Sequence, residues 1–323
     1  MMDQAIRDFP KQFLFQPRVE NPGALNHAKK FVVAGMGGSN LAPGLLQVAD
    51  PGIDVVVYRS YGLPPLAHGE MKQRLTIASS YSGNTEETID AFEMARRKKY
   101  PLVVITVGGK LLALAKKYRM PYIQLPDTGI QPRMALGFNV VALLKMMGNE
   151  SGLTALRTLT AALDGVRAQA RGMQLAKTLR GHVPIIYAAL AHHPIAYIWK
   201  IKFNETGKIP AFCNVFPELN HNEMTGFDPV VRTRALMRGF HFIFLSSAYD
   251  HPRVQKRMRI CKKLYGDRGL LVTELPLSGK TPWQAIFTSL MIADWTAYYT
   301  SQGYGAESEQ VPMVEEFKTL MRS

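Results

Sequence analysis

Leu75-Thr76-Ile77-Ala78-Ser79 runs without a break into Ser80-Tyr81-Ser82-Gly83-Asn84-Thr85-Glu86-Glu87. The first five residues are a short apolar run of the kind that forms a buried strand. From about residue 85 to 99 the period becomes helical, with Ile89, Phe92, Met94 and Ala95 on the inner side. A strand that ends in hydroxyls and feeds a helix is half of a βαβ unit. Its neighbours complete the pattern: residues 31–35, 54–58 and 102–106 are further apolar runs, and 135–147 reads as a closing helix. Strands and helices alternating at this spacing predict an α/β fold with a doubly wound parallel sheet.

The pattern returns after a Leu-, Ala- and Arg-rich helical stretch. Strands are expected at 183–188, 242–247 and 270–273, with helices at about 194–208, 251–265 and 283–299. Ala78-Ser79-Ser80 in the first half is echoed by Leu245-Ser246-Ser247 in the second, each at a strand end before a helix. We therefore expect two doubly wound α/β domains of similar topology, 1–150 and 181–323, joined by a helical connector at 151–180. A length of 323 residues suits about two domains.

Composition narrows the class. Apolar residues make up 47% and charged residues 20%, which excludes a disordered chain. Cys213 and Cys261 are too few for a disulfide framework or a Cys-rich zinc site, so a reducing cytoplasm is expected. The first twenty residues mix acids and bases without an apolar core, so no signal peptide is expected, and no apolar run is long enough to span a membrane. With 39 Lys and Arg against 25 Asp and Glu, the net charge is +14. Such a balance attracts anions in general and selects none. The densest basic blocks, 96–99, 116–119 and 253–263, fall on expected surface helices.

The run from Ser80 to Thr85 sits where open α/β sheets bind ligands, beyond the carboxyl end of a strand. Hydroxyls of Ser80, Ser82 and Thr85 and the first N–H groups of the helix point to a phosphate monoester, which accepts many hydrogen bonds and suits the positive helix end. The competing reading is plain capping, with Asn84 as N-cap and Glu87 three places on. Gly35-Met36-Gly37-Gly38-Ser39-Asn40 departs from a dinucleotide fingerprint twice. Asn40 replaces the third glycine, and Val57-Tyr58-Arg59 stands where an acid should end the second strand. A tight turn whose Gly37, Gly38 and Ser39 line a sugar pocket fits better. Farther along, Asn204-Glu205 and Glu218-Leu219-Asn220-His221-Asn222-Glu223 concentrate carboxylates, amides and one imidazole. These suit proton transfer beside a carbonyl, with a carboxylate base and a histidine for ring opening, or equally a helix end and a polar loop. His192-His193 has no third metal ligand at a recognisable spacing.

Taken together, Gly35–Ser39, the SYSGNT run, Asn204-Glu205 and the ELNHNE block resemble the bifunctional phosphoglucose/phosphomannose isomerase family, whose members have two sugar-isomerase (SIS) domains. The resemblance implies an aldose–ketose isomerase of glycolysis and gluconeogenesis that interconverts glucose 6-phosphate and fructose 6-phosphate, with mannose 6-phosphate as a further substrate. By position, Ser39, Ser80, Ser82 and Thr85 would hold the sugar phosphate. Glu205 would carry the proton between C2 and C1 through a cis-enediol, and Arg133 would stabilise the enediolate. His221, supplied by the partner subunit, would assist ring opening together with Lys318, so a homodimer with a shared active site is implied. No cofactor or metal is expected, and no specific nucleic-acid partner. One departure is noted: 306–310 holds no threonine where the family commonly has the one linked to mannose acceptance. The other readings are a SIS enzyme of amino-sugar phosphate or arabinose 5-phosphate, and a sugar-phosphate-sensing regulator. The second would need a DNA-binding module that the 29 residues before the first strand hardly accommodate.

Overall fold

The structure is a computed structural model of the chain and describes residues 1–25 and 28–321. It divides into two compact units, Arg7–Leu163 and a second made of Met1–Ile6 with the chain from Asp164 onward.

The N-terminal unit carries β1 (Lys30–Ala34), α1 (Leu41–Ala49), β2 (Asp54–Tyr58), β3 (Arg74–Ser80), α2 (Glu86–Arg97), β4 (Leu102–Thr106), α3 (Gly109–Lys117), β5 (Tyr122–Gln124) and α4 (Leu136–Met146). Its sheet is parallel throughout, in the order β2-β1-β3-β4-β5. β3 is buried along its whole length, as its unbroken apolar run requires of a central parallel strand. The chain leaves β1 toward one edge and β3 toward the other, so the switch point lies between these two strands. Ala34 pairs with Ala78, which brings both strands to an end at nearly the same level.

The C-terminal unit contains α5 (Gly165–Thr178), β6 (Val183–Ala189), α6 (His193–Lys202), β7 (Phe212–Phe216), β8 (Phe240–Ser246), α7 (Pro252–Asp267), β9 (Leu271–Pro276), α8 (Pro282–Gly303) and α9 (Pro312–Leu320). Its four parallel strands run β7-β6-β8-β9, the same winding with its switch point between β6 and β8. An aromatic core of Tyr187, Phe216, Phe242, Phe244 and Tyr265 fills one face.

The division between units falls at Leu163, inside the stretch read as a connector. Helices Glu150–Arg157 and Leu159–Ala162 stay with the first unit. α5 joins the second because its stripe of Ala168, Gly172, Leu175 and Ala176 is buried there. At Gly172 a Cβ would come within 2.4 Å of that of Trp295, and Gln169 Nε2 donates to the Tyr299 hydroxyl at 2.6 Å.

Candidate active site

At the switch point of the first sheet, two loops interlock. The chain leaves β1 through a tight 3-10 turn, Gly37–Asn40, whose Ser39 is buried. Ser39 Oγ accepts from the Tyr81 N–H at 2.7 Å, fastening this turn to the loop after β3. A hydroxyl that accepts there still has its own proton to donate. Gly38 presses so closely on the segment Pro132–Met134 that a Cβ would lie 2.9 Å from the Arg133 backbone nitrogen. Arg133 is thereby placed beside the glycine turn, with its side chain fully buried. Gly37, Gly38, Ser39, Ser80, Ser82, Thr85 and Arg133 thus share one edge of one unit.

The loop after β3 is shaped by its own hydroxyls. Ser80 Oγ lies 2.9 Å from Thr85 Oγ1 and accepts from the Gly83 N–H at 3.1 Å, while Ser82 Oγ accepts from Asn84 N–H at 3.3 Å. Gly83 has φ +71°, and a Cβ there would run into the Gly108 carbonyl, so the close approach of the two loops needs glycine. Plain capping is not what the residues do. Thr85, not Asn84, is the N-cap of α2, and its side chain makes no capping bond. Asn84 Oδ1 instead accepts from the Lys110 N–H at 3.0 Å. The start of α2 therefore has no side-chain acceptor, as is also true of α1, α3 and α4 in the same unit. What sets it apart is the hydroxyl-rich loop that leads into it, a setting that suits an anion. Glu86 is exposed, and after desolvation the carboxylates of Glu87, Glu86 and Asp90 raise the pKa of Tyr61.

The broken dinucleotide fingerprint has a structural reason. Asn40 Nδ2 donates to the Gly35 carbonyl and, at 3.2 Å, to that of Tyr58, and its Oδ1 accepts from Arg59 Nε at 2.7 Å. The two departures from the motif are bonded to each other and lace β1 to β2.

In the C-terminal unit, Glu205 lies on a π-helical turn, Phe203–Gly207, that continues α6. Such turns are rare and concentrate at functional sites. Below it, Lys202 and Asp294 form a fully buried ion pair at 2.6 Å, and Trp199 Nε1 donates to Ser289 Oγ at 3.0 Å. Asn204 Nδ2 closes the turn on the Ile209 carbonyl at 3.1 Å. Glu205 is half-buried on this frame.

His221 ends the 3-10 turn Glu218–His221 and is exposed. Its neighbour Glu223 is gripped by two residues that the sequence reading passed over. Tyr187 and Asn214 pair in register across β6 and β7, and both donate to the Glu223 carboxylate. Burial, the nearby Tyr265 and this bond push the Tyr187 phenol far above its usual range. A tyrosine in mid-strand was the only available signal. Lys318 is an exposed residue of α9 whose ammonium lies 2.7 Å from Glu315. His192 belongs to a structural contact, with Nδ1 2.9 Å from Asp250 Oδ1. Among the described residues, no cluster of three His, Cys, Asp or Glu could hold a metal, and no helix is long and apolar enough to cross a membrane.

Comparison with known proteins gives a consistent picture. Residues 168–321 match the bacterial phospho-glucose isomerase C-terminal SIS domain. The bifunctional phosphoglucose/phosphomannose isomerase of Caldicellulosiruptor bescii is 33% identical over 310 residues, 90% of this chain and 89% of that protein. Its counterpart from Aquifex aeolicus is 29% identical over 326 residues, covering 99% of this chain and 98% of its own. In structure, the C-terminal domain of glucosamine-fructose-6-phosphate aminotransferase from Francisella tularensis superposes with a TM-score of 0.69 at 13% identity, over 96% of this chain and 98% of that one, which speaks to the fold. With two parallel SIS-type sheets and a relative of this identity across nearly its whole length, the chain belongs to the bifunctional phosphoglucose/phosphomannose isomerase family.

Proposed function

We propose that the protein interconverts glucose 6-phosphate and fructose 6-phosphate, and also takes mannose 6-phosphate, by proton transfer through a cis-enediol. The observation that carries the reading is the set of hydroxyls, Ser39, Ser80, Ser82 and Thr85, that the interlocked loops bring to the start of α2, with the Arg133 segment packed on the glycine turn. The hydroxyls and the helix N–H groups hold the phosphate of the sugar. The Glu205 carboxylate removes the proton from C2 of the open aldose and returns it to C1, which gives the ketose. Return to the opposite face of C2 gives the mannose configuration. Negative charge that develops on the enediolate oxygen falls to Arg133, a buried guanidinium already in place. Such stabilisation is greatest at the transition state and needs no metal.

His221 and Lys318 open the ring, and in this reading His221 serves the active site of a second copy. Its exposure supports that role, as do the solvent-facing Met313, Val314, Phe317 and Leu320 on α9, an apolar row that a homodimer would cover. In this reading the protein works in the cytoplasm, at the aldose–ketose interconversion that glycolysis and gluconeogenesis share.

The test is a coupled assay from fructose 6-phosphate that detects the glucose and mannose products separately. Wild type is expected to make both, and neither product would sink the reading. Glu205→Gln and His221→Ala are each expected to lose orders of magnitude in turnover. Mixed and reassembled as a two-fold dimer with shared sites, they should recover about a quarter of wild-type activity, because half the dimers are mixed and each regains one intact site. No recovery would place both groups in one subunit.

A further inference from the structure

The basic run 253–263 is absorbed by none of this, and on the structure it splits into two kinds of charge. Lys262 and Lys263, in the C-terminal half of α7, lie 2.9 Å from Glu274 and 2.6 Å from Asp267. The Lys262 bond is the main cause that holds the Glu274 carboxyl below its usual range. Arg253, Lys256 and Arg257, in the other half, line a cavity of about 290 Å³ that no carboxylate lines among the described residues. Their spacing of three and four puts them on one helix face, where like charges oppose the helix unless something offsets them. The rest of the lining is Asn220 with the apolar Met224, Ile260 and Cys261.

We propose that this cavity is a second anion site, which takes a small phosphorylated metabolite with at least two negative charges. Three cations from one face of α7 line it, and the apolar part of the lining suits the body of the molecule. The volume is at the lower limit of ligand cavities, which begin at about 300 Å³, and so fits a metabolite and not a stretch of polymer. Arg257 is poorly satisfied as it stands: its Nη1 lies 3.4 Å from Asn220 Oδ1, long for such a bond. An anionic oxygen is the stronger acceptor and would draw it away. Burial pushes the Cys261 thiol up to about 12, so it stays neutral and adds no repulsion. Asn220 also donates to Met224 Sδ at 3.0 Å and immediately precedes His221. Occupancy therefore acts on the ELNHNE turn, and this regulatory consequence rests on the role given to His221 above.

The experiment is calorimetric titration of the intact protein with inorganic pyrophosphate, repeated in Ser82→Asp, where a carboxylate occupies the other phosphate position. Saturable binding should survive in Ser82→Asp and weaken at least about tenfold when Arg253→Gln and Lys256→Gln are combined, the loss of one to two charge-assisted bonds. Lys262→Gln with Lys263→Gln removes the same charge from the same helix and should change binding less than about twofold, since those ammonium groups are exposed and already paired. Equal weakening by the two pairs, no saturable binding in Ser82→Asp, or preferential binding of a DNA duplex would each overturn the site. At saturating fructose 6-phosphate, pyrophosphate should alter the turnover of wild type and not that of the Arg253→Gln/Lys256→Gln variant. Binding without any change in turnover overturns the link to His221 alone. Absence of turnover from the outset counts against the isomerase reading and leaves the site standing.

Discussion

The two sheets are wound alike, yet their switch points are finished in opposite ways. Between β1 and β3 the loops contribute hydroxyls and a helix start without a side-chain cap. Between β6 and β8 the same position is closed from within. Asp250 accepts from the Ser247 N–H at 2.9 Å with one carboxylate oxygen and meets His192 Nδ1 at 2.9 Å with the other. At the helix start that follows, His251 Nδ1 accepts from the Arg253 N–H at 3.1 Å. A carboxylate and an imidazole do internally what a bound phosphate is proposed to do in the first unit. The Ser-Ser echo in the sequence thus marks equivalent strand ends, not equivalent chemistry. One crevice is kept for a ligand, and its twin has become structure.

The largest expected effect comes from making the first crevice like the second. Ser82→Asp removes a donor and sets a fixed negative charge where the sugar phosphate should sit. The Michaelis constant for fructose 6-phosphate should rise by about 100-fold or more, equivalent to about 3 kcal/mol. Stability should hold or improve slightly, because a carboxylate near a helix start is favourable. A variant with an unchanged Michaelis constant would move the phosphate elsewhere.

The converse change opens the second crevice. Asp250→Ala strips a buried acceptor from Ser247 and the partner from His192, and should destabilise the C-terminal unit by about 2–4 kcal/mol in urea unfolding. The Michaelis constant should not move. If stability were intact and substrate binding lost, the second crevice would be a substrate site after all.

Much of this was legible in the chain and some was not, for physical reasons. Strands β2 and β4 fall where the apolar runs stand: β4 is buried throughout, and the edge strand β2, though only partly buried, still carries three consecutive valines. The three-residue β5 and the half-exposed edge strand β7 leave no such run. Strand order, and with it the switch point, depends on pairing between distant segments. The π-turn around Glu205 differs from an α-helix by its bonding alone, so the reading of one helix to Lys208 passed over it. Asn84 looked like the cap because its true partner, Lys110, lies 26 residues away. The connector could not be divided because α5 docks through small residues, whose closeness to Trp295 has no local mark. Asp250 and His192 likewise meet only in three dimensions.

The opposite ends of the switch strands extend the comparison and supply its smallest effect. Arg74 begins β3, buried, with Asp54 at 2.6 Å and Glu70 at 2.8 Å. Burial pulls its pKa down, and the bonds to these two acids more than offset this, so the charge is retained. Near the start of β8 the buried His241 lacks such help. Burial first, and then the neighbouring His182, lower its pKa from 6.5 to about 4, and it is held neutral against Thr273 Oγ1 at 2.8 Å. The unfolded chain therefore binds a proton at a pH where the folded chain does not. The resulting stability is complete above about pH 6.5 and is lost as the pH falls toward 4, by about 1–3 kcal/mol. All three tryptophans, Trp199, Trp283 and Trp295, lie in the C-terminal unit, so indole fluorescence in urea reports its unfolding alone. The midpoint should drop between pH 7 and pH 5 in wild type, and His241→Gln should flatten that dependence. A midpoint that held or rose on acidification would mean that His241 is charged in the fold, and that the base of β8 keeps its cation just as that of β3 does.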